Sequence, residues 1–222
     1  MKKAGTKVSV AVIRRLPRYY RKLSELRQRG VVRISSGALA KDMGLTASQI
    51  RQDLFCFGGF GQQGYGYNVE KLREEIGDIL GINRGNTAVI LGVGNLGHAL
   101  MQNFKFGNNG FSVTAAFDVD DSLVGTKIGS VQVYHVDELE EYLQTYRVDV
   151  GVLTVPRAFA AEMAQKLADG GVKGIWNFAN VELKLDKPDV IVENVHFSDS
   201  LLALSYMIGE PIYEEERENE NE

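Results

Sequence analysis

The chain has 222 residues, 44% of them hydrophobic, enough for one large domain or two small ones with buried cores. Its single cysteine, Cys56, excludes an internal disulfide framework and a cysteine-rich zinc site, and no apolar run approaches the roughly 20 residues needed to cross a bilayer. The net charge of −4 conceals a split: residues 1–57 carry 13 Lys/Arg against 3 Asp/Glu and the remainder 12 against 26, the pattern of a basic module for a polyanion joined to an acidic body.

The N-terminus carries Lys2 and Lys3 with no apolar stretch behind them, so no signal peptide is read and a cytoplasmic location is expected. Val12, Ile13, Leu16, Tyr19, Tyr20, Leu23 and Leu26 then recur at helical spacing. Pro17 suits a first helical turn better than an interior. The spacing therefore predicts a short helix to about Arg14 and a second from Pro17 to Gln28, decorated by Arg14, Arg15, Arg18, Arg21 and Lys22. Ser35 or Ser36 caps the next helix, which carries Leu39, Ala40 and Met43 and stops at Gly44. Thr46-Ala47-Ser48-Gln49 has the form of a capping box, with Gln49 reaching back to the cap, and opens a third helix.

Helix, glycine turn and helix at this spacing form a helix-turn-helix signature. In the third helix Ile50, Leu54 and Phe57 face inward. Ser48, Arg51 and Gln52 lie opposite, with Ala47 and Gln49 near the exposed first turn, and these side chains suit base edges and phosphates. A small helical bundle for protein contacts is the plainer alternative, and the clustering of positive charge counts against it. From Phe57 to Tyr67, Gly61-Gln62-Gln63-Gly64 between aromatic residues reads as a hairpin, the wing of a winged helix. Wings usually bring a basic residue to the minor groove, and this one carries Gln62 and Gln63 instead. The candidate DNA contacts are Arg14, Arg15, Arg18, Lys41, Thr46, Ser48, Gln49, Arg51, Gln52, Gln63 and Tyr65. A linking amphipathic helix follows from Val69 to Ile79, closing a DNA-binding domain over residues 1–80.

Residues 86–195 alternate strands and helices, which predicts a parallel sheet covered on both faces. The strand Ala88–Leu91 runs into Gly92-Val93-Gly94-Asn95-Leu96-Gly97 and a helix to about Phe106. In this G-x-G-x-x-G arrangement Gly92 makes the turn, Gly94 admits a pyrophosphate and Gly97 lets the helix approach the strand. The helix N-terminus offers N–H groups to the phosphates. A second strand, Phe111–Phe117, ends in Asp118, 21 residues after Gly97, where a carboxylate accepts from an adenosine ribose and disfavours a 2′-phosphate. Val119 follows it. A glycine-rich turn with Asp118 capping a loop is the plainer reading.

Further strands are expected at Val131–Tyr134, Val148–Val155, Val172–Phe178 and Val190–Val195, with helices from Asp137 to Tyr146 and from Pro156 to about Ala168. The strand ends Thr154-Val155-Pro156 and Asn177-Phe178-Ala179 could line a nicotinamide side or be ordinary loops. Phe197–Ile208 forms a last helix that is apolar on more than one face, which requires burial in the body or in a second subunit. Residues 196–212 are assigned to dimerisation. The acidic tail, 213–222, is expected to be disordered.

Six stretches in order, covering nearly the whole chain, resemble the Rex family of redox-sensing transcriptional repressors. They are Arg15-Leu16-Pro17-Arg18-Tyr19-Tyr20, Ile50-Arg51-Gln52-Asp53, Gly64-Tyr65-Gly66-Tyr67-Asn68, Gly92–Gly97, Phe117-Asp118-Val119-Asp120 and Leu153-Thr154-Val155-Pro156. The resemblance implies a homodimer on a palindromic double-stranded operator, with the last helix exchanged between subunits. It also implies that NADH favours a DNA-incompetent arrangement while NAD⁺ permits binding. Phe197 from the partner is the candidate to pack near the nicotinamide, with plain core as its alternative. The family often pairs an Asp before that aromatic with a Tyr in the first Rossmann helix. Here His196 and Asn103 stand at those positions, and Gln62 and Gln63 stand where many relatives carry Lys or Arg.

Two other readings remain open. An NAD-dependent dehydrogenase would need an acid–base constellation, and His98, His135 and His196 form none with a nearby carboxylate or Lys, so no enzyme is expected. A DNA-binding protein gated by another adenosine-containing ligand, such as coenzyme A, would share the same cradle.

Overall fold

The computed structural model describes residues 8–58 and 65–209. The glycine-rich tip with Gln62 and Gln63, the first seven residues and the tail at 213–222 lie outside the described residues. The chain divides between Gly85 and Asn86 into two compact units.

In the first unit one helix, α1 (Val10–Gln28), stands where Pro17 led us to expect two. Pro17 cannot donate to the Ile13 carbonyl, an interior defect that costs about 3 kcal/mol. Val12, Leu16, Tyr19, Leu23 and Leu26 are buried along one face. Burying such a side chain contributes about 1.5–3 kcal/mol each. Packing outweighs the proline.

Ser35 caps α2 (Ser36–Met43), its hydroxyl accepting from the Ala38 N–H at 3.1 Å, and Gly44 ends that helix in the left-handed conformation. Thr46 caps α3 (Ala47–Phe55) by accepting from the Gln49 N–H at 3.1 Å. The reciprocal half of the capping box is absent, because the Gln49 amide reaches forward to Asp53 at 2.8 Å. The hairpin expected within Phe57–Tyr67 falls largely on residues 59–64, outside the described residues. The two-residue strand β2 (Tyr67–Asn68) pairs antiparallel with β1 (Arg33–Ile34), ahead of α2. Asn68 then caps α4 (Val69–Leu80). This helix is no mere linker, since Leu72 and Ile76 join Leu16, Tyr19, Leu23, Ile50 and Leu54 in one core.

The second unit carries a sheet of seven strands. In chain order these are β3 (Asn86–Leu91), β4 (Phe111–Asp118), β5 (Lys127–Ile128), β6 (Val131–His135), β7 (Val150–Leu153), β8 (Gly174–Asn177) and β9 (Ile191–Asn194). Their spatial order is β5-β6-β4-β3-β7-β8-β9. All pairings are parallel except β5 with β6, an antiparallel edge too short to register in the sequence. Helices α5 (Asn95–Asn103), α6 (Leu139–Thr145) and α7 (Arg157–Asp169) connect them.

Alternation along β3 divides the core. Val89 and Leu91 face the layer of Leu139, Ala160, Ala164 and Leu167, whereas Ala88 and Ile90 face Leu100, Met101 and Phe106. The connection leaves β3 for β4 on one side and returns to β7 on the other, so the strand order reverses at the carboxyl end of β3. Ligands bind sheets of this kind at that crevice. The last helix, α8 (Phe197–Gly209), buries none of its side chains within the chain.

Candidate functional site

The glycine loop stands at the crevice. Gly92 adopts φ +93°, which a side chain rarely tolerates, and a Cβ there would lie 2.9 Å from the Thr154 carbonyl. Its N–H donates to the Phe117 carbonyl at 2.9 Å. The Thr154 hydroxyl donates to the carbonyls of Leu91 and Gly92 at 2.9 and 2.7 Å, so the residue that follows β7 holds the turn. A Cβ on Gly97 would collide with the Gly92 carbonyl oxygen, which is the close helix–strand approach in atomic terms. Gly94 differs from both. It precedes α5 as an N-cap with no side-chain hydrogen bond, and a Cβ on it would meet nothing within 4 Å. Neither its backbone conformation nor its neighbours among the described residues require glycine at this position.

Asp118 ends β4 beside this loop. One carboxylate oxygen accepts from the Val93 N–H and the other from the Asp120 N–H at 3.0 Å. A carboxylate has about four lone-pair directions, so capacity for ribose hydroxyls remains. Val93 is buried, Leu96 half-buried, and Asn95, Val119 and Pro156 are exposed around the rim, with Val155 half-buried. The structure therefore joins Gly92–Gly97, Asp118 and Thr154 through direct bonds.

The second strand end is different. Asn177 is buried, its amide donating to the Val181 carbonyl at 2.7 Å and the Asn194 side chain at 2.8 Å while accepting from the Ala179 N–H at 2.9 Å. That side chain holds the loop after β8 and is corrected from a ligand contact to a structural one. Phe178 is half-buried, its ring 4.6 Å from Trp176 and 6.1 Å from the exposed Phe197 of the same chain. His196 bonds to Asn180 at 3.0 Å and lies 3.5 Å from Glu182, while the Asn103 amide donates to the Ala99 carbonyl. The two do not meet within one chain.

In the first unit Ser48, Arg51 and Gln52 are exposed on the face of α3 opposite Ile50 and Leu54. Arg51 donates to the Ser36 hydroxyl at 3.1 Å, and Arg18 to the Met43 carbonyl at 3.1 Å, both at the surface. Arg14, Lys41 and Tyr65 are exposed. The Thr46 hydroxyl and the Gln49 amide are committed to the helix and to Asp53, and Gln63 lies outside the described residues.

Arg15 requires a correction. Its guanidinium grips Asp53 at 2.6 and 2.8 Å, and Tyr19 donates to the same carboxylate at 2.7 Å. Burial alone would push the Asp53 carboxyl up, but the bonds from Arg15, Tyr19 and Gln49 hold it below the usual range. The Asp53 contact raises the Arg15 guanidinium, while burial and then Asp53 push Tyr19 up. Arg15 thus joins α1 to α3 and is not a freely projecting cation. Arg33, absent from the sequence candidates, is an exposed cation on β1 that donates to the Tyr65 carbonyl at 3.3 Å. A two-residue strand carries no periodicity by which to find it.

Comparison with known proteins places these two sites in context. The family model described as "CoA binding domain" matches residues 83–181, and that described as "Putative DNA-binding protein N-terminus" matches residues 7–54. The chain is 51% identical over 204 residues to a redox-sensing transcriptional repressor Rex of Clostridium beijerinckii, covering 91% of this chain and 96% of the relative. It is 49% identical over 210 residues to that of Caldicellulosiruptor bescii, covering 95% and 96%. Among solved structures, RSP in complex with β-NAD⁺ and operator DNA superposes with a TM-score of 0.87 at 48% identity, over 92% of this chain and 94% of that one. RSP in complex with β-NADH gives a TM-score of 0.85 at 45% identity, over 92% and 96%.

Proposed function

Because the chain belongs to the Rex family of redox-sensing transcriptional repressors, we propose that it binds a palindromic operator as a homodimer and releases it when NADH replaces NAD⁺. The observation that carries this reading is the pairing, in one chain, of an exposed polar stripe on a helix-turn-helix with a glycine loop tied directly to Asp118. Residues 1–80 read DNA, 86–195 hold the dinucleotide, and 196–212 supply the dimer contact.

In the cradle, Gly92 to Gly97 take the pyrophosphate on backbone N–H groups and Asp118 with Val119 takes the adenosine ribose. Thr154, Val155, Pro156 and Phe178 border the nicotinamide end, with Phe197 supplied across the dimer. On DNA, Arg51, Gln52 and Ser48 address base edges, while Arg14, Arg18, Lys41 and Tyr65 address the backbone. Nothing in this reading requires the protein to turn over its ligand, and it acts as a regulator in the cytoplasm. A ligand that binds both DNA states equally shifts neither, so the oxidised and reduced rings must differ in affinity for the DNA-competent dimer.

The test is a gel shift on a palindrome selected by the protein, titrated with NADH against NAD⁺. NADH is expected to release the duplex and NAD⁺ to leave it bound. A shift that ignores the ratio and answers instead to coenzyme A would replace this reading with the one that the matched domain model's description favours.

A further inference from the structure

The reading face of α3 does not end at Gln52. Ser48 with Arg51 and Gln52 with Phe55 lie three residues apart, and Ser48 with Gln52 and Arg51 with Phe55 four apart, so the four side chains form one continuous stripe. Ile50, Asp53 and Leu54 fill the opposite, buried face. Phe55 is 79% exposed, more than any other large apolar side chain among the described residues. Leaving so large a ring in water forfeits the burial free energy that α3 gains from Leu54 beside it. A folding role therefore does not account for its position.

We propose that Phe55 is a specificity-determining residue that packs against the 5-methyl group of a thymine in the major groove. This rests on the reading of the first unit as DNA-binding. Apolar contact with that methyl is the one chemical feature of the groove that a phenyl ring recognises, because it has no donor or acceptor for the other base edges. Seven residues at 1.5 Å each place Phe55 about 10 Å along the helix from Ser48, a span of about three base pairs. Arg51 and Gln52 supply hydrogen bonds between these ends. Phe55 adds an apolar one, and the operator half-site is expected to carry a thymine at its position.

The experiment uses the full-length protein and its selected operator, in which each thymine of a half-site is replaced in turn by deoxyuridine, removing only the methyl. For the wild type, one replacement per half-site is expected to weaken binding about fourfold, the equivalent of one buried methyl group. Phe55→Ala is expected to bind the unmodified operator more weakly and to be indifferent to that same replacement. Phe55→Leu, which keeps an apolar contact, should retain part of the sensitivity. Thermal unfolding of each variant is expected to match the wild type, because the ring buries little. Equal deoxyuridine sensitivity in wild type and Phe55→Ala at every position would overturn the proposal, as would uniform weakening with no methyl dependence, which would assign the ring to the sugar–phosphate backbone or to a protein contact. If the wild type binds no duplex at all, the DNA-binding reading fails instead, a separate result.

Discussion

At 1% exposure, the Asp53 side chain accepts bonds from Arg15, Tyr19 and Gln49, and the buried carboxylate is held in charged form only by them. Asp53→Asn keeps the shape and removes the charge, leaving Arg15 without its counter-ion. It is expected to destabilise the first unit by about 3 kcal/mol, at the lower end for a broken buried pair because Arg15 remains 25% exposed. Urea midpoints measure this. Asp149 is the counterpart in the second unit: burial raises it, and Lys173, Arg147 and the Thr87 N–H hold it far below the usual range. Both carboxyls are depressed by folding. Their stabilisation is therefore complete above the unfolded value of about pH 4 and is lost as pH falls through the folded values. The acid limb of stability should flatten in Asp53→Asn, and coincident limbs for variant and wild type would remove Asp53 from that account. On the reading face, Arg51→Ala should cost about 1–3 kcal/mol of operator binding and relax specificity at one base pair. An equal loss on every sequence would reassign Arg51 to phosphate.

At the level of elements, the three glycines of the loop make different predictions although they share one motif. Gly97→Ala forces α5 away from the Gly92 carbonyl and should lower the melting temperature along with NADH affinity. Gly94→Ala meets open space, so the fold should melt as the wild type does while NADH titration shows strongly weakened binding. A Gly94→Ala protein that binds normally would mean the pyrophosphate lies elsewhere. The motif was legible in sequence because glycine is a geometric requirement at Gly92 and Gly97, and the helix ends were legible because Ser35 and Thr46 cap through their side chains and Gly44 takes the left-handed conformation. Pro17 misled because local propensity yielded to a buried face. Strands β1, β2 and β5 have two residues each, too few for alternation to appear. Asn177 misled for another reason, since a strand-end polar residue looks the same in sequence whether it faces a ligand or an inner loop.

For the whole molecule, α8 exposes Phe197, Leu201, Leu202, Leu204, Tyr206, Met207 and Ile208 at once. A surface of that kind marks an interaction site, and on the proposed palindromic operator its occupant would be a second copy of the chain. The double variant Leu204→Glu, Ile208→Glu should sediment as a monomer with unchanged helical content and should bind the operator far more weakly, since each half-site would then be held alone. A dimer of undiminished operator affinity would place the contact elsewhere.

The open space at Gly94 bears on how such a dimer could report anything. If this loop receives the diphosphate as proposed, NAD⁺ and NADH present it with the same group. On that reading it would anchor both forms alike and discriminate between neither. Tightening the anchor by mutation would raise occupancy by both forms and leave their contest unchanged. Sensitivity to metabolic state has to be tuned at the opposite end of the ligand, where the two molecules differ by a hydride.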